Sequence, residues 1–257
     1  WVSTRHASPP VPFIDALFAG TAPDGGLYFP ERFEPLSVGA LEALRMADLA
    51  TIGTTVGTHL LAGDITEADM GRLVRDALDF PIPLVQVTDR VWALELFHGP
   101  TLAFKDVGAR VQARLLHHFT DGTPLTILVA TSGDTGSAVA QAFHGVPDSR
   151  VFVLYPEGQV TDVQEAQMAS LGANITAVAV RGTEGLDGVV RDQLDQSVPE
   201  LELRQLVRDA GHVAGRLPRS LSRRADRLVA VAGARHRRLG RAADEVAAGV
   251  GTATAVG

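Results

Sequence analysis

The stretch LTILVATSGDTGSAVAQA, residues 125–142, decides the fold of this chain. Its first six residues, Leu125–Ala130, are apolar or β-branched and predict a buried strand. Glycines and hydroxyl-bearing residues follow over 131–137 and predict a turn, after which small residues begin a helix. A strand that passes through a glycine-rich turn into a helix predicts a βα unit of a parallel sheet.

The alternation of strands and helices continues downstream of this turn. Strands are predicted at Val151–Tyr155 and Ile175–Val180, and helices near Val163–Leu171 and Leu186–Gln196. Short loops between such elements predict an α/β fold in which helices cover both faces of a parallel sheet, a three-layer arrangement. Ligands bind these sheets at the carboxyl ends of the strands, which directs attention to the glycine-rich turn and to an earlier turn after Phe97.

The chain upstream of about residue 80 has a helical pattern instead. Apolar residues recur every three or four positions over Leu36–Leu61, which predicts two short helices. A capping-box pattern at Thr66–Asp69 predicts a further helix that runs through Leu78. We therefore predict a mostly helical N-terminal unit over residues 1–80.

The α/β portion is predicted over residues 81–203, with two short strands at its start. These strands are Leu84–Val87 and Val91–Phe97, and the polar turn Thr88–Arg90 separates them. Residues 204–257 consist mostly of alanine, arginine, glycine and valine and contain no aromatic residue. This tail shows no regular period, so it is left without a predicted element.

The composition excludes several classes of protein. The chain has 257 residues and no cysteine, which excludes disulfides, thiolate nucleophiles and cysteine-ligated metals. Hydrophobic residues at 46% and charged residues at 21% are typical of a globular chain with a core. No apolar run is long enough to span a bilayer, and no signal-like segment opens the sequence, so we expect a cytoplasmic protein with no membrane partner.

The charges are distributed unevenly along the chain, whose net charge is −7. Residues 1–203 carry 26 acidic and 12 basic residues, whereas residues 204–257 carry 4 acidic and 11 basic residues. Of the 23 basic residues, Lys105 is the single lysine. Because arginine occupies every other basic position, we infer that this lysine performs a task that arginine cannot perform.

Lys105 follows the turn His98-Gly-Pro-Thr-Leu-Ala-Phe, and Thr101 is predicted to cap the helix that begins there, at about Leu102. Lys105 then falls in the first helical turn, where the partial positive charge of the helix end disfavours a cation and favours a neutral amine. A neutral lysine amine forms Schiff bases with aldehydes, a reaction that is closed to arginine. The sequence therefore indicates a nucleophilic lysine.

The glycine-rich turn Thr131–Ser137 has the character of an anion site. Backbone N–H groups at a helix start, together with serine and threonine hydroxyls, can bind a carboxylate or a phosphate. The turn is neither a Walker A loop nor a Gly-x-Gly-x-x-Gly fingerprint, and Ser132 does not lie in a Gly-x-Ser-x-Gly elbow. No histidine and carboxylate spacing predicts a metal site, and His98 is equally compatible with a functional and a structural role.

The two turns, about 30 residues apart, together resemble threonine synthase, a family of fold type II pyridoxal-phosphate enzymes of the tryptophan-synthase-β-like superfamily. The resemblance rests on His98–Asp106 and Ala130–Ser137. Ser3–Arg5 and Ala22–Pro30 also look like the N-terminal domain of that family. The likeness covers about residues 1–203.

This resemblance implies that phosphate is eliminated from O-phospho-L-homoserine and that water adds at the β-carbon, giving L-threonine. Lys105 would hold pyridoxal 5′-phosphate as an internal aldimine and would then act as catalytic base and acid. The implied cofactor contacts are Lys105, Phe104 against the pyridine ring, Ser132, and Asp134 on the side of the 3′-oxygen. The implied substrate contacts are Thr101, Ser132, Gly133, Thr135 and Gly136. We expect a small-molecule substrate and no nucleic-acid partner.

The chain departs from the family pattern in its last part. Family members are longer and have a second glycine-rich loop, Gly-Asn-Phe-Gly-like, for the cofactor phosphate, and this chain contains no such loop. We therefore expect a threonine synthase that is truncated after about Leu203 and carries an unrelated, possibly out-of-frame tail. A genuine basic extension that binds a partner or a nucleic acid is the alternative explanation of the tail.

Two other functions remain open on the sequence. A catalytically inert fragment or binding protein would keep the fold without holding the cofactor firmly. Another fold type II lyase, such as a threonine dehydratase, is the second alternative, although His98–Thr101 and Asp24–Tyr28 speak against it.

Overall fold

The computed structural model describes residues 1–180 and the backbone of residues 227–232. The helices of this part are α1 Phe13–Ala19, α2 Val38–Leu44, α3 Leu49–Leu60, α4 Glu67–Ala77, α5 Lys105–Phe119, α6 Asp134–Phe143 and α7 Asp162–Ala169. The strands are β1 Val2–Ser3, β2 Tyr28–Phe29, β3 Leu84–Thr88, β4 Val91–Leu94, β5 Leu125–Ala130, β6 Ser149–Pro156, β7 Ile175–Val180 and β8 Arg227–Ala232. The helix predicted near Leu186–Gln196 lies outside the described residues. None of the helices described is both long and apolar enough to cross a bilayer.

Within the described residues, the main sheet consists of four parallel strands in the order β7-β6-β5-β8. Every residue of β5 is buried, as expected for a strand that is covered on both faces. The core beside it joins β5, β6 and α6, with Ile127, Val153 and Phe143 almost fully buried. The predicted α/β fold with a parallel sheet is thereby confirmed.

The edge strand β8 lies within the tail of residues 204–257, for which the sequence predicts no element. Its backbone pairs in parallel with β5, from Leu125 opposite Arg227 to Ala130 opposite Ala232. Part of the tail, residues 227–232, therefore pairs with the side of β5 that is opposite β6, and the remainder of the tail lies outside the described residues.

The predicted helical N-terminal unit is present, and α4 confirms its capping signal. The Thr66 hydroxyl accepts the backbone N–H of Asp69 at 3.1 Å, and the helix ends at Ala77, one residue before the predicted Leu78. Its buried face joins a separate hydrophobic cluster formed by Phe13, Leu61, Ile65, Met70, Leu73 and Val74. The Arg110 side chain of α5 donates to the Ala77 carbonyl at 2.6 Å and so ties this unit to the α/β portion.

The two short strands before the lysine turn form a hairpin that is separate from the main sheet. β3 and β4 pair in antiparallel fashion, because a turn of only a few residues cannot carry the crossover that parallel strands require. Strand β4 ends at Leu94, so the predicted extension to Phe97 is wrong. All five residues of β3 are exposed.

Asp24 organises the first segment of the chain. Its carboxylate accepts the Ser3 hydroxyl at 2.6 Å and the backbone N–H groups of Ala7 and Gly26 at 2.9 Å each. These hydrogen bonds favour the ionised form, so they lower the pKa of Asp24 from 3.8 to about 2, with the Ser3 hydroxyl as the largest cause.

We expect the Asp24→Asn variant to unfold at lower urea concentration than the wild type at neutral pH. A carboxyl whose pKa is lowered by folding stabilises the protein at pH values above its pKa in the unfolded chain. This contribution to the free energy of unfolding disappears as the pH falls through the pKa of the carboxyl in the folded protein. The difference between the two proteins should therefore shrink between about pH 4 and pH 2. Asp89→Asn, in the exposed hairpin turn, is the matched control. A difference that stays constant over this pH range contradicts the assignment.

Candidate active site

The N-terminal ends of three helices meet at the carboxyl edge of the main sheet. β5 ends at Ala130, and α6 begins at Asp134 after the glycine-rich turn. α5 begins at Lys105, whose Nζ lies 3.8 Å from Asp134 Oδ2. Gln164, in the first turn of α7, donates from Nε2 to Asp134 Oδ1 at 2.7 Å. The two motifs singled out in the sequence therefore meet in space, and α7 joins them.

Lys105 occupies the first position of α5, so the predicted place of this lysine in the first helical turn is confirmed. Its side chain is 32% exposed, which leaves the amine within reach of a solute. Nζ lies 4.7 Å from the centroid of the Phe104 ring, and Phe104 itself is 62% exposed. A reachable amine and an open aromatic face thus lie side by side.

The predicted capping role of Thr101 is wrong. Its hydroxyl donates to Asp106 Oδ1 at 2.6 Å and its backbone N–H donates to Oδ2 at 2.8 Å, so the side chain is not available to cap the helix. Leu102 then has a φ of 60°, which lies outside the helical region, and α5 begins at Lys105 instead. A Cβ on Gly99 would come within 2.5 Å of Asp106 Oδ2, so the turn can close over this carboxylate only because glycine lies there.

Asp106 is fully buried, and its carboxylate ties the lysine turn to the helix that carries Lys105. Burying a carboxylate is costly unless hydrogen bonds satisfy it, and both of its oxygens accept one from Thr101. The role of Asp106 is not among those predicted from the sequence. The available signal was a charged residue on the helix face that turns inward, next to a Gly-Pro turn.

The Thr131 hydroxyl organises the glycine-rich turn from within. Its Oγ1 accepts the backbone N–H of Gly133 at 3.0 Å and that of Gly136 at 2.9 Å. Gly133 has φ 144° and ψ −103°, a conformation that other residues rarely adopt. A Cβ on Gly136 would come within 2.2 Å of Thr131 Cγ2. The two glycines therefore give this turn its shape.

The same hydrogen bonds decide which groups of the turn can face a ligand. The N–H groups of Gly133 and Gly136 are directed at Thr131 in this structure. The first N–H groups of a helix have no partner within the helix, and here they belong to Asp134 and Thr135. Ser132 is exposed and Thr135 is half-buried, and the two residues flank the start of α6 in the sequence.

His98 lies beside the lysine turn and is occupied by local contacts. Its Nε2 lies 2.7 Å from Glu95 Oε2, and its ring packs on Phe97 with 4.6 Å between the centroids. These contacts favour the structural role of this histidine. Among the described residues, no group of histidines and carboxylates could hold a metal ion.

Tyr155 attaches α7 to the end of β6. Its hydroxyl donates to Glu165 Oε1 at 2.9 Å. Burial, together with this acidic partner, raises the pKa of Tyr155 to about 12, so the phenol stays protonated as a donor. Met168, almost fully buried, anchors the same helix beneath Gly136.

The first 78 residues of the chain match the family model of the threonine synthase N terminus. The chain is 41% identical to threonine synthase from Escherichia coli over 172 residues, which cover 67% of this chain and 40% of that protein. Over the matched residues, the chain is similar to threonine synthases. It is also 38% identical to the threonine synthase from Haemophilus influenzae over 204 residues, 79% of this chain and 47% of the relative.

Solved structures of threonine synthases have the same fold over the matched part. The crystal structure of PLP-bound threonine synthase from Brucella melitensis is similar with a TM-score of 0.70 and 39% identity, over 76% of this chain and 44% of that one. Threonine synthase from yeast gives a TM-score of 0.66 at 32% identity, over 74% of this chain and 42% of that one. The chain thus spans less than half the length of these relatives.

We expect Gly133→Ala to destabilise the protein by about 1–3 kcal/mol, because alanine is strained at a φ of 144°. A Cβ at this position would also come within 2.4 Å of Gln164 Nε2 and displace it. Urea denaturation followed by circular dichroism measures the change.

Gly108→Ala in α5 is the matched control for this substitution. A Cβ there meets no atom within 4 Å, so the variant should be more stable by about 0.5–1 kcal/mol through helix propensity. Equal effects of the two substitutions would show that the shape of the glycine-rich turn is not constrained in this way.

Proposed function

We propose that this chain carries the lysine-bearing part of a pyridoxal-phosphate site and converts O-phospho-L-homoserine and water to L-threonine and phosphate. The proposal rests on one observation: the amine of the single lysine faces the glycine-rich turn, with Nζ 3.8 Å from Asp134 Oδ2. Its support from relatives is the match to threonine synthases, one of which has a PLP-bound structure.

The residues at the carboxyl edge fit an aldehyde cofactor with an aromatic ring and an anionic side. Lys105 offers a primary amine that is partly open to solvent, and Phe104 offers an exposed ring next to it. The start of α6 offers unpaired N–H groups to negative charge. Asp134 lies where it can face a protonated or hydrogen-bonding group of the cofactor, on the side that we assign to the 3′-oxygen.

Each residue then has a separate task. Pyridoxal phosphate, when bound, supplies an electron sink for negative charge that develops on the substrate carbon. Lys105 would hold this group covalently. Once the Lys105 amine is free again, it would accept and donate protons through Nζ. Phe104 would pack on the flat face of the ring and exclude water from it.

The substrate side of the site is assigned to the glycine-rich turn. The hydroxyls of Ser132 and Thr135, with the N–H groups at the start of α6, would bind the substrate carboxylate. Gly133 and Gly136 have no side chains, so the substrate would be able to approach the backbone of the turn closely. Thr101 remains a proposed substrate contact near the lysine turn, although its hydroxyl donates to Asp106.

The wider organisation follows the same proposal. We divide the chain into an N-terminal unit over residues 1–80 and a pyridoxal-phosphate α/β portion over residues 81–203. A phosphorylated amino acid is a small polar substrate, and we propose that the protein meets it in the cytoplasm. Neither a membrane nor a nucleic acid is part of this proposal.

We expect the wild-type chain to develop a visible absorbance band when pyridoxal phosphate is added, because an imine forms at a lysine amine. Lys105→Arg should give no band and no turnover, since a guanidinium does not deprotonate. Absorbance titration and the release of phosphate and threonine from O-phospho-L-homoserine measure the two steps.

Three outcomes separate the proposed function from its rivals. A band together with threonine and phosphate supports it. A band without phosphate release contradicts the proposed reaction and favours a binding protein that keeps the fold. Deamination of threonine in place of phosphate release favours a dehydratase. The double variant Lys105→Arg/Arg110→Lys moves the single lysine to another part of α5, and it controls for nonspecific reaction of lysines.

A further inference from the structure

Helix α7 contacts both turns of the candidate site through one face. Gln164 Nε2 donates to Asp134 Oδ1 at 2.7 Å, and Gln167 Nε2 lies 3.4 Å from the Thr101 carbonyl oxygen. Residues three apart lie on the same side of a helix, so the two amides point to the same edge of the sheet. α7 therefore bridges the lysine turn and the glycine-rich turn.

The amide of Gln164 is held in one orientation by the capping box of α7. Its Oε1 accepts the backbone N–H of Thr161 at 3.0 Å, and the Thr161 hydroxyl accepts the backbone N–H of Gln164 at 3.3 Å. Because a backbone N–H can only donate, the oxygen of the amide faces Thr161 and its NH₂ group faces Asp134.

This fixed donor determines how the Asp134 carboxylate is turned. Oδ1 is engaged by Gln164, and the second oxygen, Oδ2, is then the one that lies 3.8 Å from Lys105 Nζ. The space for this arrangement exists because residue 133 is glycine, since a Cβ there would lie 2.4 Å from Gln164 Nε2. The approach of Asp134 to Lys105 thus depends on the capping box of α7, on the amide donor of Gln164 and on the glycine at position 133.

We propose that Gln164 is a positioning residue of the site, which acts through Asp134 to orient a carboxylate toward the Lys105 amine. Its consequence for cofactor binding rests on the proposed function, whereas the contact itself does not. An exposed ion pair contributes little to stability, about 0–1 kcal/mol. The effect of Gln164 is therefore expected in the reactivity of Lys105 and not in the stability of the fold.

The substitution Gln164→Glu separates these two effects. Glutamate is a preferred residue at this position of a capping box and still accepts the Thr161 N–H, so the melting temperature should be kept. It cannot donate to Asp134, and it adds a second carboxylate beside it. Thr161→Ala is the matched control, because it removes the capping hydroxyl and lowers the melting temperature while Gln164 keeps its donor.

The readout is reductive methylation of Lys105 by formaldehyde and cyanoborohydride, quantified by mass spectrometry in the chain without cofactor. Lys105 is the single lysine, and the Trp1 amine serves as reference in the same sample. A second carboxylate beside Asp134 should favour the charged form of the Lys105 amine and slow its methylation about threefold relative to Trp1. Thr161→Ala should leave this ratio unchanged.

A double-mutant cycle tests whether Gln164 acts through Asp134. Gln164→Met lacks the donor without adding charge, and it should change the methylation ratio at least about twofold. Asp134→Asn should raise the ratio, and in that background Gln164→Met should have a much smaller effect than in the wild type. The added charge of Gln164→Glu should still slow methylation in the Asp134→Asn background.

The positioning role is overturned if Gln164→Met leaves the methylation ratio equal to that of the wild type, if its effect is undiminished in the Asp134→Asn background, or if Thr161→Ala changes the ratio equally. Because formaldehyde replaces the cofactor, this failure is distinct from failure of the proposed function. A changed ratio in a chain that does not bind pyridoxal phosphate would leave Gln164 in its role and contradict the proposed function alone.

Discussion

The approach of Lys105 to Asp134 is the contact on which the rest of the site depends. It joins the N-terminal ends of α5 and α6, which lie about 30 residues apart in the chain. A lysine at a helix N-terminus faces the partial positive charge of the helix, and a carboxylate at a neighbouring helix start offsets that field. The amine can therefore lie at this edge of the sheet and remain partly open to solvent.

The surrounding structure serves to keep this contact in place, since an exposed ion pair alone is too weak to do so. The buried carboxylate of Asp106 fixes the lysine turn by accepting two hydrogen bonds from Thr101. Thr131 closes the glycine-rich turn from within, and Gln164 orients Asp134 from α7. Buried strands of the parallel sheet provide the rigid base from which these loops extend. A few hydrogen bonds thus connect the fold to the approach of Lys105 to Asp134.

The strands of the main sheet up to β7 and the place of Lys105 follow from the sequence, because apolar runs and glycine-rich turns are local signals. The roles of Thr131, Asp106 and Gln164 do not, because each depends on where a side chain points after folding. Gln164 and Asp134 lie 30 residues apart, and no local period connects them. The pairing of β8 with β5 is missed for the same reason, since it joins the tail to residues about a hundred positions earlier.

The central claim, that the Lys105 amine holds an aldehyde cofactor, is tested most directly by trapping. The chain is incubated with pyridoxal phosphate, reduced with borohydride, digested and mapped by mass spectrometry. We expect a reduced cofactor adduct on the peptide that contains Lys105. An adduct found on the Trp1 amine alone, or no adduct at all, would contradict it.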